Sequence, residues 1–479
     1  MESHMETTTE TRGPRIEKTF IDVGKLRGLA QAPVPARAEL DRILDRALEL
    51  HGLDIEEVAG LLRVRDAVQR ARVLDAATKV KEAIYGRRMV FFAPLYIGNT
   101  CSNNCLYCGF RRDNKELVRA VLDTGEIEAE VRTLLREGHK RLLMLSGESA
   151  DSSLDYFLEA IGTAYGVREG GNYVRRINVE IAPLSVSDFA KLKRTGIGTY
   201  ACFQETYDPE LYAYYHPTGP KRDYLNRLYV MDRAMEGGID DVGIGALFGL
   251  GDWRFEVLSM FEHARHLEEA RGCGPHTISV PRLQPAQGSA IANHVPRPIP
   301  DEDFKLMVAV IRIAMPYTGI ILSTRESETM RNELFRYGVS QVSAGSRTNP
   351  GAYAEGGQED RGETGSQFAL GDHRDLDEVV ASLIGTGHIP SFCTGCYRKG
   401  RVGHDFMDLA KPGLIKEFCM PNGLFTFQEY LLDFAGAPTK TKGQLLLDEL
   451  VEGIERRDVR QRVRDTLEKI RAGERDIYF

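Results

Sequence analysis

The sequence lacks three features that would place the protein in a membrane, on nucleic acid or outside the cell. None of its 479 residues belongs to an apolar run of the roughly 18 residues that a membrane-spanning helix needs. Its 62 basic residues are outnumbered by 70 acidic ones, and a net charge of −8 argues against nucleic acid or an anionic membrane as main partner. Residues 1–12 are polar, without the apolar segment of a signal peptide. We therefore expect a cytoplasmic protein with no membrane or nucleic-acid partner.

Cysteine is also scarce, but six of the eight cysteines fall into two tight sets. Cys101, Cys105 and Cys108 have C-x3-C-x2-C spacing. Thiolates at this density bind soft metals or iron–sulfur clusters. A 4Fe–4S cluster takes four thiolates, so three leave one iron open for chemistry. Disulfides are disfavoured without a secretory signal, and zinc would need a fourth ligand although no other His or Cys lies within twenty residues on either side.

The second set, Cys393, Cys396 and Cys419, has C-x2-C-x22-C spacing. A redox pair would usually open a helix after a strand, which the approach through Pro390 does not favour. Zinc would need a fourth ligand, for which His388 and His404 are close enough in the sequence. A second iron–sulfur cluster is the other interpretation. The two solitary cysteines, Cys202 and Cys273, are expected to pack as small apolar residues.

From residue 88 onward, short apolar runs alternate with amphipathic stretches of helical periodicity. One of these, residues 127–138, is preceded by Asp123 and Glu126 spaced as a capping box. Eight strands alternating with helices over about 260 residues predict a (β/α)8 TIM-type barrel. The eight runs are 89–97, 141–148, 177–183, 198–205, 241–250, 276–283, 319–326 and 339–347.

An open doubly wound sheet is the alternative fold, but its glycine-rich nucleotide loop is absent after the first strand. The first cysteine set stands there instead. Barrel enzymes carry their chemistry at the carboxyl ends of the strands, and these ends are polar here. The polar residues at the strand ends are Ser146, Gly147, Glu148, Glu180, Glu205, Ser323, Thr324, Arg325, Ser343, Ser346 and Arg347.

Four regions follow from these patterns. Residues 1–87 are predicted to form a mostly helical extension and residues 88–350 the barrel. Residues 351–375 are rich in glycine and acidic residues, which predicts a mobile loop. Residues 376–479 contain the second cysteine set, followed by mostly helical sequence and a short apolar tail at 477–479 that we expect to dock on the body of the protein.

The first cysteine set, with Tyr107 before its last thiol, resembles the signature of radical S-adenosylmethionine (SAM) enzymes. In that family the open iron binds SAM, which is cleaved to a 5′-deoxyadenosyl radical. The barrel, the C-terminal cysteines and the segments APLYIGNTCSNNCLYCGF and GPHTISVPRLQPA together resemble the HydG family, the tyrosine lyases that mature FeFe-hydrogenase, over nearly the whole chain. The related 2-iminoacetate synthase of the thiamine pathway shares the barrel but lacks the C-terminal cysteines.

The resemblance implies roles for residues that match the family's motifs. Cys101, Cys105 and Cys108 would hold the SAM-binding 4Fe–4S cluster. Residues 146–148 stand where the superfamily has a GGE motif for the SAM amino group, with Ser in place of the first Gly. Arg325 suits the tyrosine carboxylate, because a planar guanidinium gives two parallel hydrogen bonds. The further implied contacts are Tyr107 to the adenine, Glu180 to the ribose, Glu205 to the cofactor, and Ser343 and Arg347 to the tyrosine pocket.

For the C-terminal region, the resemblance implies a second 4Fe–4S cluster on Cys393, Cys396 and Cys419. In the family this cluster carries an additional labile iron, linked through a free cysteine and ligated by a histidine. We expect that histidine to be His276, which opens the sixth strand and should face the bottom of the barrel. His388 and His404 are the alternative ligands.

The implied reaction is cleavage of the Cα–Cβ bond of L-tyrosine to p-cresol and dehydroglycine. The fragment would become carbon monoxide and cyanide for the H-cluster of FeFe-hydrogenase. The implied partners are a reduced ferredoxin or flavodoxin, other hydrogenase maturases and the apo-hydrogenase. Two rival functions are a 2-iminoacetate synthase with a structural C-terminal metal site and a non-catalytic cluster carrier. The carrier would not explain an open iron, polar strand ends and a complete barrel.

Overall fold

Eight parallel strands close into a barrel in the computed structural model, which describes residues 18–354 and 365–479. The barrel order is β1-β2-β5-β6-β7-β8-β9-β10, and β10 pairs with β1 to close it. The strands are β1 (Arg88–Gly98), β2 (Arg141–Ser146), β3 (Arg168–Glu169), β4 (Asn172–Tyr173), β5 (Arg176–Glu180), β6 (Thr199–Ala201), β7 (Asp241–Gly245), β8 (Thr277–Ser279), β9 (Gly319–Leu322), β10 (Gln341–Ser343) and β11 (Ile389–Ser391).

The predicted (β/α)8 architecture is therefore confirmed, and each of the eight apolar runs contains one barrel strand. Most runs extend past their strands, because the chain stays buried as it leaves the barrel. The sequence did not predict three short strands, β3, β4 and β11. Strands β3 and β4 form a two-residue antiparallel hairpin outside the barrel.

Strand β1 is the longest of the barrel, and its length lets it pair with three neighbours. Its end pairs with β2, its middle with β10, and its first residues, Arg88–Val90, pair in parallel with β11. All eleven residues of β1 are buried. Because β11 ends two residues before Cys393, this pairing carries the second cysteine set to the amino-terminal end of the barrel, which we call the bottom.

Twenty helices surround the sheet within the described residues. Before the barrel they are α1 (Val23–Leu29), α2 (Arg37–Ala47), α3 (Ile55–Leu61) and α4 (Ala67–Tyr85). Between and after the barrel strands they are α5 (Thr124–Arg136), α6 (Leu154–Gly166), α7 (Val186–Lys193), α8 (Pro209–Tyr215), α9 (Tyr224–Leu228), α10 (Val230–Glu236), α11 (Trp253–Arg271), α12 (Ala290–Asn293), α13 (Asp301–Ala314), α14 (Glu328–Tyr337) and α15 (Leu376–Gly385). The last five are α16 (Gly395–Arg398), α17 (Gly403–Ala410), α18 (Lys416–Asp433), α19 (Ala437–Glu452) and α20 (Arg457–Arg471).

Local sequence explains where α5 begins. Asp123 accepts a hydrogen bond from the backbone of Glu126, and Glu126 accepts one from the backbone of Asp123, so the predicted capping box is present. Its apolar residues, among them Ile127, Val131 and Leu134, are buried against the barrel. The N-terminal helix α4 packs against α13, α14 and α18, which joins the helical extension to both the barrel and the C-terminal helices.

Helix α15 follows β10 and packs against α14 on one side and against α19 and β11 on the other, so it joins the barrel to the helical C-terminal region. The predicted start of that region at residue 376 stays a prediction. The sequence of the long connection before α15 is polar and rich in glycine, which is typical of a domain boundary. Residues 355–364 of the predicted mobile loop lie outside the described residues. Residues 365–375 are hydrogen-bonded to the barrel loops, for example Gly371 N to Thr324 O at 2.8 Å.

The chain's last residues dock on the C-terminal region, as the apolar tail predicts. Phe479 packs edge-on against Phe425, and its backbone N–H donates to Asn422 Oδ1 at 2.8 Å. Arg401 donates to the Phe479 carbonyl at 2.8 Å. In the parts of the chain that the structure describes, no helix is both long and apolar enough to cross a membrane.

Candidate functional site

The carboxyl ends of the barrel strands surround a cavity of about 130 Å³, which we call the upper cavity. Its walls are mostly apolar and aromatic side chains, into which a few polar groups project. The nine residues singled out by the sequence that line it are Tyr107, Cys108, Glu180, Glu205, Ser323, Thr324, Arg325, Ser343 and Ser346. An apolar cavity with a few convergent polar groups is the usual form of a small-molecule site.

The loop that carries the first cysteine set is fixed by backbone hydrogen bonds on two sides. Ser102 N donates to the carbonyl of Glu148 at 2.7 Å, just past the end of β2. Leu106 N donates to the carbonyl of Tyr215 at 3.0 Å, at the end of α8. The side chain of Asn103 also donates to Glu148 Oε2 at 2.7 Å. The loop thus has a defined shape that depends on two neighbouring barrel connections.

Residues 146–148 lie directly against this loop. A Cβ atom added to Gly147 would lie 2.2 Å from the carbonyl oxygen of Thr100, so only glycine permits this approach. Ser146 Oγ donates to the carbonyl of Gly147 at 2.7 Å, and the Glu148 carboxylate accepts from Asn103. The three residues do not line the upper cavity itself but border the loop that forms one of its walls. Their implied contact with SAM stays a prediction.

The three thiols of the loop have different surroundings. Cys105 is buried, whereas Cys101 and Cys108 are partly exposed. Burial raises the pKa of Cys105 to about 12, and the nearby positive charge of Lys221 opposes this shift. Gln367 Nε2 lies 3.8 Å from the Cys108 sulfur, within the range of an N–H donor to sulfur.

The donor set at the loop suits a cluster better than a single ion. Within residues 18–354 and 365–479, no three His, Cys, Asp or Glu side chains converge as ligands of one metal ion. A 4Fe–4S cluster distributes its thiolates over separate irons, so three thiols on one short loop beside a cavity fit it.

Two glutamates at the ends of β5 and β6 differ in their charge. Burial, followed by repulsion from Glu205, raises the pKa of Glu180 to about 7. Burial acts in the same direction on Glu205, but Lys221 and Arg227 outweigh it and lower its pKa. Lys221 Nζ is 2.6 Å from Glu205 Oε1. Glu205 is therefore a charged, paired carboxylate, whereas Glu180 is poised to exchange a proton near neutral pH.

Arg325 is the cation of the upper cavity that has no ion-pair partner among the described residues. Its guanidinium carbon lies 3.2 Å from the centroid of the Phe368 ring. Burial lowers the pKa of Arg325, with Tyr96 and the two glutamates opposing the shift. Ser343 is buried nearby, and its hydroxyl accepts a hydrogen bond from Thr324 N at 3.2 Å. A stacked guanidinium with free N–H groups is suited to an anionic substrate group.

Arg347 does not belong to this cavity, contrary to the sequence prediction. Its guanidinium donates to the carbonyl of Ser346 and lies 6.0 Å from the Tyr353 ring. It also interacts electrostatically with Glu137, at the end of α5. The chain has left the strand at this point, so the side chain turns outward and not into the barrel.

The bottom of the barrel holds a second, smaller cavity of about 50 Å³, which we call the lower cavity. Cys393, Cys396 and Cys419 all line it, together with His276. Cys393 lies in the turn between β11 and α16, Cys396 lies in α16, and Cys419 lies in α18. Sequence segments separated by 22 residues thus meet at one point below the strands.

Positive charge surrounds the thiols of the lower cavity. Arg88 and Arg141, at the first positions of β1 and β2, both line it. Arg141 Nη1 donates to the carbonyl of Cys393 at 2.7 Å. A hydrogen bond with Cys396 and the charge of Arg88 lower the pKa of Cys419 despite its burial. Cations offset the negative charge of clustered thiolates, so this donor set fits an iron–sulfur cluster.

Among the three candidate histidines, the structure places only His276 in the lower cavity. Burial lowers its pKa, so the ring is neutral, the form that binds metals. Its Nδ1 atom is buried without a hydrogen-bond partner among the described residues and lies 3.8 Å from Asp241 Oδ1. His388 pairs with Thr386, and His404 lies beside Gly272. Ligation of iron by His276 stays a prediction.

Gln341, the first residue of β10, lines both cavities and therefore lies between them inside the barrel. Thr199 and Thr277, at the first positions of β6 and β8, extend the upper cavity down to the same level. Small and polar side chains therefore line part of the barrel interior between the two cysteine sets.

Several residues that line these cavities were not identified as site residues from the sequence. Gln367 and Phe368 belong to the segment predicted to be mobile, and their position over the upper cavity follows from tertiary contacts alone. Lys221 is 120 residues from Cys101 in the chain and lies in a loop after α8. Arg88 and Arg141 had a usable signal, since each is a charged residue at the start of a predicted apolar strand.

Two family models match the chain. The Radical SAM superfamily model matches residues 95–264, and the Biotin and Thiamin Synthesis associated domain model matches residues 279–389. Together they span most of the barrel, including the first cysteine set and Arg325. The second match ends at the start of β11 and so leaves out the second cysteine set.

Solved structures extend the match to nearly the whole chain, and a curated relative covers a smaller part of it. A crystal structure of HydG, a maturase of the FeFe-hydrogenase, is 45% identical with a TM-score of 0.91, covering 96% of this chain and 100% of that one. HydG from Carboxydothermus hydrogenoformans is 42% identical with a TM-score of 0.80, covering 93% and 97%. The 2-iminoacetate synthase of Salmonella typhimurium strain LT2 is 32% identical, covering 72% of this chain and 89% of the relative. The chain therefore belongs to the HydG family of radical SAM proteins.

Proposed function

We propose that this protein is a radical SAM tyrosine lyase that cleaves the Cα–Cβ bond of L-tyrosine to p-cresol and dehydroglycine. It then converts the second fragment into carbon monoxide and cyanide for the H-cluster of FeFe-hydrogenase. The observation that carries the proposal is the presence of two cysteine-lined cavities at opposite ends of one barrel, with Gln341 lining both. A lyase with one product site has no need of the lower cavity.

In the upper cavity, the residues would supply charge and shape for two ligands that each carry a carboxylate. When bound, SAM and a 4Fe–4S cluster on Cys101, Cys105 and Cys108 supply the one-electron chemistry. The free guanidinium of Arg325 would bind the tyrosine carboxylate through two parallel hydrogen bonds. The stacking of the Arg325 guanidinium on the Phe368 ring fixes the direction in which its N–H groups point. Gln367 and Phe368 line the cavity on a segment that is hydrogen-bonded to the barrel loops, and they would limit access of water to the reacting atoms.

Glu180 is the group in the upper cavity best placed to interact with the hydroxyl groups of a bound ribose. As a carboxylate it accepts hydrogen bonds, and with a pKa of about 7 it also carries a proton part of the time at neutral pH. Glu205 is held charged by Lys221 and would contribute a fixed negative potential beside the cysteine loop. These roles in binding SAM rest on the family resemblance together with the position of both residues in the cavity wall.

In the lower cavity, Cys393, Cys396 and Cys419 would hold a second 4Fe–4S cluster. His276 is the side chain placed to bind an additional labile iron, because its neutral ring faces the same cavity as the thiols. A free cysteine would link that iron to the cluster. The barrel interior at Gln341 offers the small fragment a route that is closed to bulk solvent by the strands.

The proposed partners follow from this chemistry. A reduced ferredoxin or flavodoxin would supply electrons to the first cluster, and other hydrogenase maturases would receive the product. The net charge of −8 gives no general attraction for acidic carriers, so docking would depend on local basic surface.

The decisive test is an anaerobic assay of the reconstituted protein with SAM, L-tyrosine, L-cysteine and dithionite. We expect p-cresol by chromatography together with infrared stretching bands of iron-bound carbon monoxide and cyanide. p-Cresol with stoichiometric glyoxylate and no such bands would contradict the second half of the proposal.

A 2-iminoacetate synthase with a structural C-terminal metal is the second candidate. It is favoured by the relative that is 32% identical over 354 residues. Metal analysis separates the two, since that enzyme would contain about four irons and one zinc, whereas two clusters with a labile iron give roughly nine irons.

A further inference from the structure

A third concave surface lies at the bottom of the barrel, next to the lower cavity. This basic cleft has a volume of about 540 Å³ and opens to solvent. It is formed by the β3–β4 hairpin, the start of β5 and the turn after α7. Tyr397 lines both the basic cleft and the lower cavity, so its ring is the partition between them.

The charge of the basic cleft is strongly positive. A single acidic side chain, Asp240, lines it against five cations, which are Arg168, Arg175, Arg176, Lys193 and Arg398. Three of the five have carboxylate partners within 4 Å. Arg168 and Arg176 have none among the described residues. Their guanidinium groups donate to backbone carbonyls only, Arg168 to Tyr165 and Val167 and Arg176 to Gly196, so no carboxylate of the described residues within 4 Å offsets their charge. Two such cations beside one concavity form a candidate anion site.

Arg176 ties this anion site to the partition. Its guanidinium carbon lies 3.2 Å from the centroid of the Tyr397 ring. Its Nε atom is buried and has no hydrogen-bond acceptor within the described parts of the chain. A buried donor without an acceptor is costly, and a bound anion would supply the acceptor. On the far side of the ring, the Tyr397 hydroxyl is 3.4 Å from Thr199 Oγ1, a weak contact.

We propose that the basic cleft binds a small carboxylate-bearing molecule through Arg168 and Arg176 and admits it to the lower cavity past Tyr397. The planar guanidinium matches the two oxygens of a carboxylate. A concave site of this volume favours a small molecule over an extended acidic surface. The use of that molecule at the three lower thiols rests on the proposed function, whereas its binding and passage rest on the geometry of the cleft.

Alkylation of the cluster-free full-length chain tests binding and passage together. Iodoacetate is itself a small carboxylate, whereas iodoacetamide has the same reactive group without the charge. The rate of each reagent at Cys396 and at Cys101 is followed by peptide mass spectrometry. The quantity compared is the iodoacetate-to-iodoacetamide ratio at Cys396, with the ratio at Cys101, at the other end of the barrel, as internal reference.

Removal of one cleft charge should lower this ratio. In Arg168→Gln we expect a decrease of roughly threefold or more at Cys396 and none at Cys101, because a cationic cleft concentrates anions locally. Arg168 is exposed, so the variant should fold. Arg168→Lys should retain most of the ratio, and Arg194→Gln, which removes an exposed charge beside the cleft but outside its lining, should retain all of it. An unchanged ratio in Arg168→Gln, or an equal loss in Arg194→Gln, would overturn the proposal.

Competition identifies the ligand class. Excess acetate should slow the reaction of iodoacetate at Cys396 in the wild type and have little effect in Arg168→Gln. Phosphate that competes as well as acetate would overturn the carboxylate assignment. Arg168→Gln should also form p-cresol at the wild-type rate, since the cleft lies at the opposite end of the barrel from Arg325. The two proposals can therefore fail separately. If the cleft proposal is wrong, the alkylation ratio does not change in Arg168→Gln, whereas if the lyase proposal is wrong, the wild type forms no p-cresol.

Discussion

The upper and lower cavities hold the same kind of ligand set, but the chain builds them in different ways. The upper thiols lie within eight residues of one loop, so their proximity is encoded locally. The lower thiols come from the turn after β11, from the helix α16 and from the helix α18, and the pairing of β11 with the first residues of β1 brings the first two to the bottom of the barrel. The comparison teaches that the first set depends on loop geometry and the second depends on the tertiary fold.

The two cavities also differ in their electrostatics. The upper cavity combines one unpaired cation, Arg325, with two glutamates of different pKa. The lower cavity has Arg88 and Arg141 near its thiols and a neutral His276. Under the proposed function, the charges of the upper cavity would orient polar substrates, whereas those of the lower cavity would stabilise negative charge on a metal centre.

The largest effect is expected from Cys105→Ala. Loss of one thiolate from the first set should abolish SAM cleavage, and both p-cresol and the infrared bands should fall to background. Chromatography and infrared spectroscopy of the same sample measure this. Cys202→Ala is the matched control, because Cys202 is buried but lines neither cavity, and it should keep both products. Formation of p-cresol by Cys105→Ala would contradict the assignment of the upper cavity.

Arg325→Lys tests the substrate site of the upper cavity. A lysine keeps the charge but loses the two parallel hydrogen bonds and the stack on Phe368, so kcat/KM for tyrosine should fall by about a hundredfold. Steady-state kinetics at saturating SAM give this number. Arg347→Lys makes the same change outside the cavity and should stay within about twofold of wild type. Equal losses in the two variants would show that the effect is not specific to the cavity.

His276→Ala tests the metal site of the lower cavity. We expect the loss of about one iron from roughly nine and of the infrared bands, while p-cresol formation continues, because the upper cavity is untouched. Iron analysis after reconstitution gives the count. His388→Ala and His404→Ala are the controls, since both histidines lie outside the cavity. If either control lost the iron and His276→Ala kept it, the ligand assignment would be wrong.

The smallest effect concerns Glu180 and stability. Its pKa is raised to about 7 by burial, whereas an unfolded glutamate titrates near about 4.3. Between these values the folded state binds more protons than the unfolded state, so the free energy of unfolding falls as the pH rises. The stabilising contribution is complete below the unfolded pKa and lost as the pH rises through about 7.

Urea denaturation at several pH values checks this sign. For a partly buried group we expect the wild type to lose about 2 kcal/mol more across the window than Glu180→Gln loses, since other buried carboxyls such as Glu256 titrate in both. Glu116→Gln, at an exposed position, should behave as the wild type. The same pH slope in Glu180→Gln would assign the effect to another group.

The sequence was sufficient for the barrel and for the first cysteine set, because both depend on patterns that are local in the chain. Period and length of the apolar runs are properties of each strand, and C-x3-C-x2-C spacing is a property of one loop. The placement of His276 at the bottom also followed, since the residue immediately precedes a predicted strand.

The rest required tertiary structure. Strand β11 has only three residues, too few for a periodic pattern, yet its pairing positions Cys393 and Cys396. Arg347 was assigned to the substrate pocket because it follows a strand end, but the strand had already ended at Ser343 and the side chain turned outward. Phe368 belongs to a polar, glycine-rich segment that gave no indication of its stack on Arg325.

The most direct test of the two-site account is a double variant, Cys393→Ala with Cys396→Ala, assayed for both products in one sample. The account predicts p-cresol at close to the wild-type rate and no infrared bands of iron-bound carbon monoxide or cyanide. Cys273→Ala, a buried cysteine beside but outside the lower cavity, should keep both products. Joint loss of p-cresol and the bands in the double variant, or persistence of the bands, would contradict a division of the reaction between two cavities.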